Sequence, residues 1–316
     1  MIVDPKYKGV TCQPFEFELE AGKIRDFAGS LGAYLPEHQE GGRPIAPPTF
    51  LVVAAYQFGQ WIERPSDPAF AAIGLKNHMS YDGGQTFSFE NGPLTAGEVL
   101  TGQTTIDDIW EKTGRRSGHL TFVRIRTDFR DTHGNHRATW TATSALPEHG
   151  DLTEAEPYDG PLPDRPSLGY GEKRKQFLAI ERGNVASLVE GDTPGPLQMP
   201  ALTLTEISRY GFFSGEDGAS HHDDVAARKN GYPQAFSIGM LHAGMLGTYI
   251  SAWCGPETIT SFQTRFVQMI WPGDELTYEG VVVNVEESND RRHVDIELRC
   301  LRDGEPVVVG EARCTS

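Results

Sequence analysis

Apolar positions fall into two similar successions along the 316-residue chain. In the first, Ile45–Trp61 opens on Ala46-Pro47-Pro48 and continues through a block of Leu, Val and Ala. It reads as a buried helix with proline in its first turn. Over Leu120–Phe129 the pattern changes to alternation, with Phe122, Arg124 and Arg126 set against Val123, Ile125 and Thr127. That period of two, a His133-Gly134-Asn135 turn and a further run over Arg137–Ser144 predict a β-hairpin. The second succession predicts a short helix over Thr205–Phe213, a polar loop over Ser214–Asp224 and a long apolar helix over Phe236–Trp253. Strands follow over Gln263–Met269, Glu275–Glu286 and Val294–Leu301, then an Arg302-Asp303-Gly304-Glu305 turn and a last strand over Val307–Arg313. Met240, Met245, Tyr249 and Trp253 recur near helical spacing and are expected in the core.

Between the two lies Gly150–Pro200, with the breaker clusters Asp159-Gly160-Pro161-Leu162-Pro163-Asp164 and Gly191–Pro196. It reads as a connection, giving an N-terminal domain over 1–149, a linker over 150–200 and a C-terminal domain over 201–316. The halves match in order. A shift of 183 lays Ile24-Arg25-Asp26-Phe27 on Ile207-Ser208-Arg209-Tyr210, Gly32 on Gly215 and His38 on His221. Each half ends in a hairpin whose turn contains Arg-Asp, Arg130-Asp131 and Arg302-Asp303. One α+β unit is therefore repeated. A long apolar helix followed by antiparallel strands buries itself best when the sheet wraps the helix. The predicted fold is a double hot-dog, with two antiparallel sheets each around a central helix, joined edge to edge into one continuous sheet.

Composition narrows the function. With 38% apolar residues a normal core is available, and no run approaches the roughly 18 apolar residues of a membrane span. The formal net charge of −16 repels phosphate backbones, so nucleic acid is not an expected partner. The start, Met1-Ile2-Val3-Asp4-Pro5-Lys6, lacks a basic region followed by an apolar stretch. Cys12, Cys254, Cys300 and Cys314 are scattered without zinc spacing. A cytoplasmic protein with reduced thiols and no metal is the expectation.

The most reactive stretch is Ser214-Gly215-Glu216-Asp217-Gly218-Ala219-Ser220-His221-His222-Asp223. A carboxylate five residues from an imidazole, on a loop, is either a solvated polar segment or a pair that converges on one water as acid and base. Tyr210-Gly211-Phe212-Phe213-Ser214-Gly215-Glu216, His221-x-Asp223, Ala227 and Gly231 resemble the signature of MaoC-like dehydratases, the (R)-specific enoyl-CoA hydratases. Phe236-Ser237-Ile238-Gly239-Met240-Leu241 is similar to that family's helix start, and Arg265-Phe266…Pro272-Gly273-Asp274-Glu275-Leu276 to its later element. Ala46-Pro47-Pro48-Thr49-Phe50 and Gly114-Arg115-Arg116-Ser117-Gly118 resemble the degenerate domain that precedes the MaoC domain in fused members.

The resemblance implies hydration of a trans-2-enoyl thioester, or the reverse dehydration. Glu216 takes the carboxylate role, His221 the imidazole role and Gly239 the oxyanion-binding backbone role at a helix N-terminus. Three departures stand out: the carboxylate is Glu216 where the family has Asp, Gly218 replaces the Asn that orients the water, and Ile238 replaces a His; Gly218 and Ile238 are expected at the substrate. A slip of one residue would instead pair Asp217 with His222. In the N-terminal half Ala33 stands where Glu216 does and Pro48, lacking an N–H, where Gly239 does. That half is expected to be a scaffold that shapes an acyl tunnel, with His78, Arg115 and Arg116 as surface groups. Arg228, Lys229 and Arg265 are candidate partners for coenzyme A phosphates. The expected partner is an acyl-CoA or acyl-carrier thioester. No cofactor is expected beyond coenzyme A in the substrate, and the fused pair is monomeric or homodimeric. Alternatives are an acyl-binding subunit of an active partner and a hot-dog thioesterase.

Overall fold

The computed structural model describes residues 1–75, 78–114, 118–165, 172–288 and 291–316. The N-terminal half comprises β1 (Phe15–Glu18), α1 (Ala21–Ser30), α2 (Pro36–Gln39), α3 (Val52–Gln57), α4 (Pro68–Ala71), β2 (Tyr81–Phe89), β3 (Val99–Gly114), β4 (Gly118–Arg130) and β5 (His136–Pro147). The C-terminal half comprises β6 (Leu197–Met199), α5 (Leu204–Ser214), α6 (Asp224–Lys229), α7 (Gly239–Cys254), β7 (Ile259–Phe266), β8 (Leu276–Ser288), β9 (Arg291–Arg302) and β10 (Glu305–Thr315).

The strands form one ten-stranded sheet in the order β1-β3-β4-β5-β2-β7-β10-β9-β8-β6. The order is the same when read outward from its centre, since each half contributes the same five-strand path. The halves meet where β2 pairs antiparallel with β7, Phe87 opposite Phe262. Both rings are fully buried there, 6.5 Å apart. This is the predicted double hot-dog with a continuous sheet. The hairpin read from 120–144 is β4–β5, and the last turn joins β9 to β10 with Asp303 and Gly304 both at positive φ.

α7 is the central helix of the C-terminal half. Met240–Gly244 and Leu246–Cys254 are all buried, as expected of a helix that is apolar all round. Its N-terminal counterpart departs from the sequence reading. Instead of spanning Ile45–Trp61, the α-helix covers Val52–Gln57. Pro47 and Pro48 have no N–H, and the preceding turns close by short bonds, Phe50 N to Pro47 O and Val52 N to Thr49 O. The helix ends at Gln57, and Gly59, with a φ of +60°, then turns the chain away. The strand read over Gln263–Met269 runs over Ile259–Phe266 instead, because Gly255 and Pro256 stop α7 early enough for pairing to begin at Ile259. The connection is packed against the C-terminal half: Phe177 is fully buried beside Tyr278, and β6 pairs with β8. Among the described residues no helix is long and apolar enough to cross a membrane, and the four cysteines are buried and unpaired.

Candidate active site

Two helix ends create the site. α5 begins with a capping box, in which Thr203 Oγ1 accepts from Glu206 N and the Glu206 carboxylate accepts from Thr203 N. It stops at Gly215, whose φ of +87° is the left-handed geometry that glycine supplies. The chain therefore turns sharply, and Glu216 enters the interior with only 7% of its surface exposed. A short 3-10 turn, Ala219–His221, follows, and Asp223 then caps α6 through Val225 N at 2.8 Å. Asp224 is held by Arg165 and by Ala235 N, which fixes the path back to the start of α7.

Glu216 and His221 converge beside Gly218. The point where a Cβ on Gly218 would sit is 2.8 Å from Glu216 Oε1 and 3.1 Å from His221 Cδ2. Glu216 Oε1 accepts from Gly218 N at 3.0 Å, and Ser214 Oγ accepts from Glu216 N at 3.2 Å. His221 Nδ1 is 3.0 Å from the Phe236 carbonyl oxygen, which can only accept. Nδ1 therefore carries the proton and Nε2 is the basic nitrogen. Burial lowers the His221 pKa and outweighs the Glu216 charge beside it, so the ring is neutral near pH 7. For Glu216, burial raises the pKa, but Arg64 and His221 more than offset it and the net shift is downward. The residue pairing directly with Glu216 Oε1 is Arg64, from the N-terminal half, which also reaches Asp217 Oδ1 at 3.2 Å.

These groups face a cleft of about 970 Å³ between the halves. Gly239 borders it as the first residue of α7, where backbone N–H groups have no partner within the helix. Ile238 and Gly218 also line it. Just below, the buried His242 joins Ser237 Oγ at 2.7 Å to Tyr278 Oη at 3.0 Å; burial pushes its pKa down to about 3, so it is a neutral strut under the helix start. Arg265 is exposed at the rim of the cleft. Arg228 and Lys229 lie elsewhere: Arg228 donates to the Gly160 carbonyl and stacks on Tyr158, and Lys229 is exposed on α6. Asp217 is 90% exposed and His222 is exposed, so the slipped pair points to solvent while Glu216 and His221 point inward.

The N-terminal half contributes more of the cleft than its sequence suggests. Tyr56, Trp61, Glu63, Arg64, His78 and Asp82 all line it, so His78 is a cleft residue and not a surface group. Burial raises Glu63 and pushes Asp82 up to about 7. His38 is fully buried, with Nδ1 on the Ile45 carbonyl, and Ala33 is buried in the core. Arg115 and Arg116 lie outside the described residues. Nothing in the sequence near Arg64 marks it, because its partner is 152 positions away. Among the described residues no cluster of three or more His, Cys, Asp or Glu side chains is arranged to hold a metal ion.

Comparison with known proteins agrees with this architecture. Residues 6–140 match the FAS1-like, dehydratase domain region, and residues 189–301 match the MaoC like domain. A UPF0336 protein of Thermobifida fusca is 29% identical over 149 residues, covering 44% of this chain and 90% of that protein. A solved structure named MaoC-like dehydratase has a TM-score of 0.74 at 17% identity, covering 98% of each chain. A MaoC-like dehydratase from Phytophthora capsici has a TM-score of 0.66 at 17% identity, covering 99% of this chain and 98% of that one. A Mycobacterium tuberculosis protein described as a double hotdog fold has a TM-score of 0.59 at 12% identity, covering 98% of this chain and 96% of that one. The chain thus joins a segment that matches the FAS1-like, dehydratase domain region to one that matches the MaoC like domain, in a fused, two-unit form.

Proposed function

We propose that this protein reversibly hydrates a trans-2-enoyl thioester to a 3-hydroxyacyl thioester, of (3R) configuration as the family resemblance implies. The observation that carries the reading is the convergence of an ionised Glu216 and the basic Nε2 side of a neutral His221 beside Gly218, in a cleft that also exposes the start of α7. Both groups accept hydrogen bonds, so together they hold and polarise one water. The water gives a proton to this pair as its oxygen bonds to C3 of the substrate. The C2–C3 π electrons move toward the thioester carbonyl, whose oxygen becomes enolate-like. In this reading the Gly239 N–H stabilises that oxygen, supported by its position as the first residue of α7, the positive end of the helix. The proton held by the pair then passes to C2, so the elements of one water have been added. Arg265, exposed at the rim and with no ion pair to the described residues, suits a coenzyme A phosphate.

The test is the loss of enoyl absorbance from a panel of short, long and bulky trans-2-enoyl-CoA esters. Wild type should consume at least one, and Glu216→Ala should lower kcat/KM by about 10²–10⁴-fold, the usual worth of a positioned acid or base. Release of free thiol with the double bond intact would make the protein a thioesterase. Equal inactivity of both folded proteins would make it an acyl-binding partner subunit.

A further inference from the structure

We propose that Arg64 is a positioning residue for Glu216, so that the active site is assembled from both halves of the chain; the catalytic part of this inference rests on the hydratase reading above. Glu216 is buried, and an ionised carboxylate in such a place needs a partner of opposite charge. The charged and titratable groups around it are Arg64, His221, Tyr56, Tyr210, Asp82 and the neighbouring Asp217. His221 is neutral near pH 7, and Asp82 and Asp217 are acids. Arg64 is the cation of the set.

The room for its guanidinium is made by Gly218. A Cβ at that position would lie 2.7 Å from Arg64 Nη2 and 2.8 Å from Glu216 Oε1. The backbone of Gly218, with φ −55° and ψ 111°, is open to any residue, so conformation gives no reason for glycine there. Space does. The absence of a side chain at 218 leaves the space that the arginine from the other half occupies.

Arg64 is also held in place from behind. Gly59 turns the chain at φ +60°, and Ser66 closes the loop by donating from N to Gly59 O at 3.1 Å and from Oγ to Phe58 O at 2.8 Å. Trp61 is stacked between Tyr56 and Trp140, with centroids 5.7 Å away on each side. The loop that carries Arg64 is thus tied into the N-terminal core while its tip reaches the C-terminal carboxylate.

The test reads Glu216 directly, without substrate. Carboxyl-¹³C glutamate is incorporated and the Glu216 signal is assigned by its loss in Glu216→Gln. In Arg64→Met, which keeps the apolar stem, the titration midpoint of Glu216 should rise by about one pH unit or more, the effect of removing an adjacent opposite charge. Arg64→Lys should restore most of the shift. Gly218→Ala, which leaves Arg64 in the sequence but takes its space, should move the midpoint the same way. On an active thioester, the acid limb of kcat/KM should move up with the midpoint, with kcat falling more than KM changes. An unmoved Glu216 midpoint in folded Arg64→Met overturns the inference even if the enzyme is a hydratase. A moved midpoint in a protein inactive on every thioester supports the pairing and instead overturns the hydratase reading.

Discussion

At the scale of single side chains, burial and neighbouring charge pull the ionisable groups of the cleft in opposite directions. Glu216 loses solvent yet stays below the ordinary carboxylate range, because Arg64 and His221 face it. Asp82 loses solvent with hydrogen bonds from Gln85 Nε2 at 2.6 Å and Gly84 N at 3.0 Å, which do not compensate, and it is pushed up to about 7. The acids Glu63 and Glu216 add to that rise. The signs for stability are opposite. Glu216 contributes above the unfolded carboxylate range and loses that contribution as pH falls through its lowered value. Asp82 binds a proton in the folded state that the unfolded chain has released, so stability is lost as pH rises from about 4 to about 7 and stays lost above. Asp82→Asn removes the ionising group, and the lowered histidines His38, His221 and His242 act equally on both proteins. The stability of Asp82→Asn relative to wild type should therefore increase between pH 5 and pH 8. Urea midpoints at the two values check this, and a constant difference would mean that Asp82 stays ionised in the folded protein at pH 5.

At the scale of elements, the ends of helices do more for the site than their middles. The C-terminus of α5 delivers Glu216, and the N-terminus of α7 presents Gly239. Both depend on backbone geometry: Gly215 takes a left-handed conformation and lies against Tyr56, with a would-be Cβ 3.0 Å from Tyr56 Cβ. Gly215→Ala should cost about 1–2 kcal/mol, the penalty for a side chain in that region. It should also lower activity, because Tyr56 and Glu216 both move if the turn relaxes. Chemical denaturation measures the first effect and enoyl-CoA turnover the second. Loss of stability with unchanged turnover would show that the turn is structural only. The same reasoning explains the short α3. A run of apolar residues favours helix, but two prolines at its start and a left-handed glycine just past its end set its actual length.

At the scale of the whole molecule, the seam between β2 and β7 makes one sheet of two units and sets the distance from Arg64 to Glu216. Phe87 and Phe262 pack at its centre. Phe87→Ala should cost about 3–5 kcal/mol, as for a fully buried aromatic. Because the seam also holds the cleft together, the loss should appear as one cooperative transition with a lower urea midpoint, followed by fluorescence and by circular dichroism. Two separated transitions would instead show that the halves fold independently and that the seam is not the element joining them.

Local pattern was enough for much of this. Alternation and turn residues determined the β4–β5 hairpin and the last turn, because strand period and positive-φ positions are properties of a few adjacent residues. The all-apolar run determined α7 as a central helix, and the ordered spacing of the two halves determined the repeat. Glu216, His221 and Gly239 were legible because they lie within 24 positions of one another, on one loop and the helix after it. What the tertiary structure decided was everything that depends on contact between distant segments. It placed His78 and Asp82 in the cleft, turned Arg228 toward Gly160, and brought Arg64 onto Glu216. Residues 152 positions apart share no periodicity or spacing that could announce them. Their meeting follows from how two sheets join and from the space left by Gly218, and neither exists until the chain is folded.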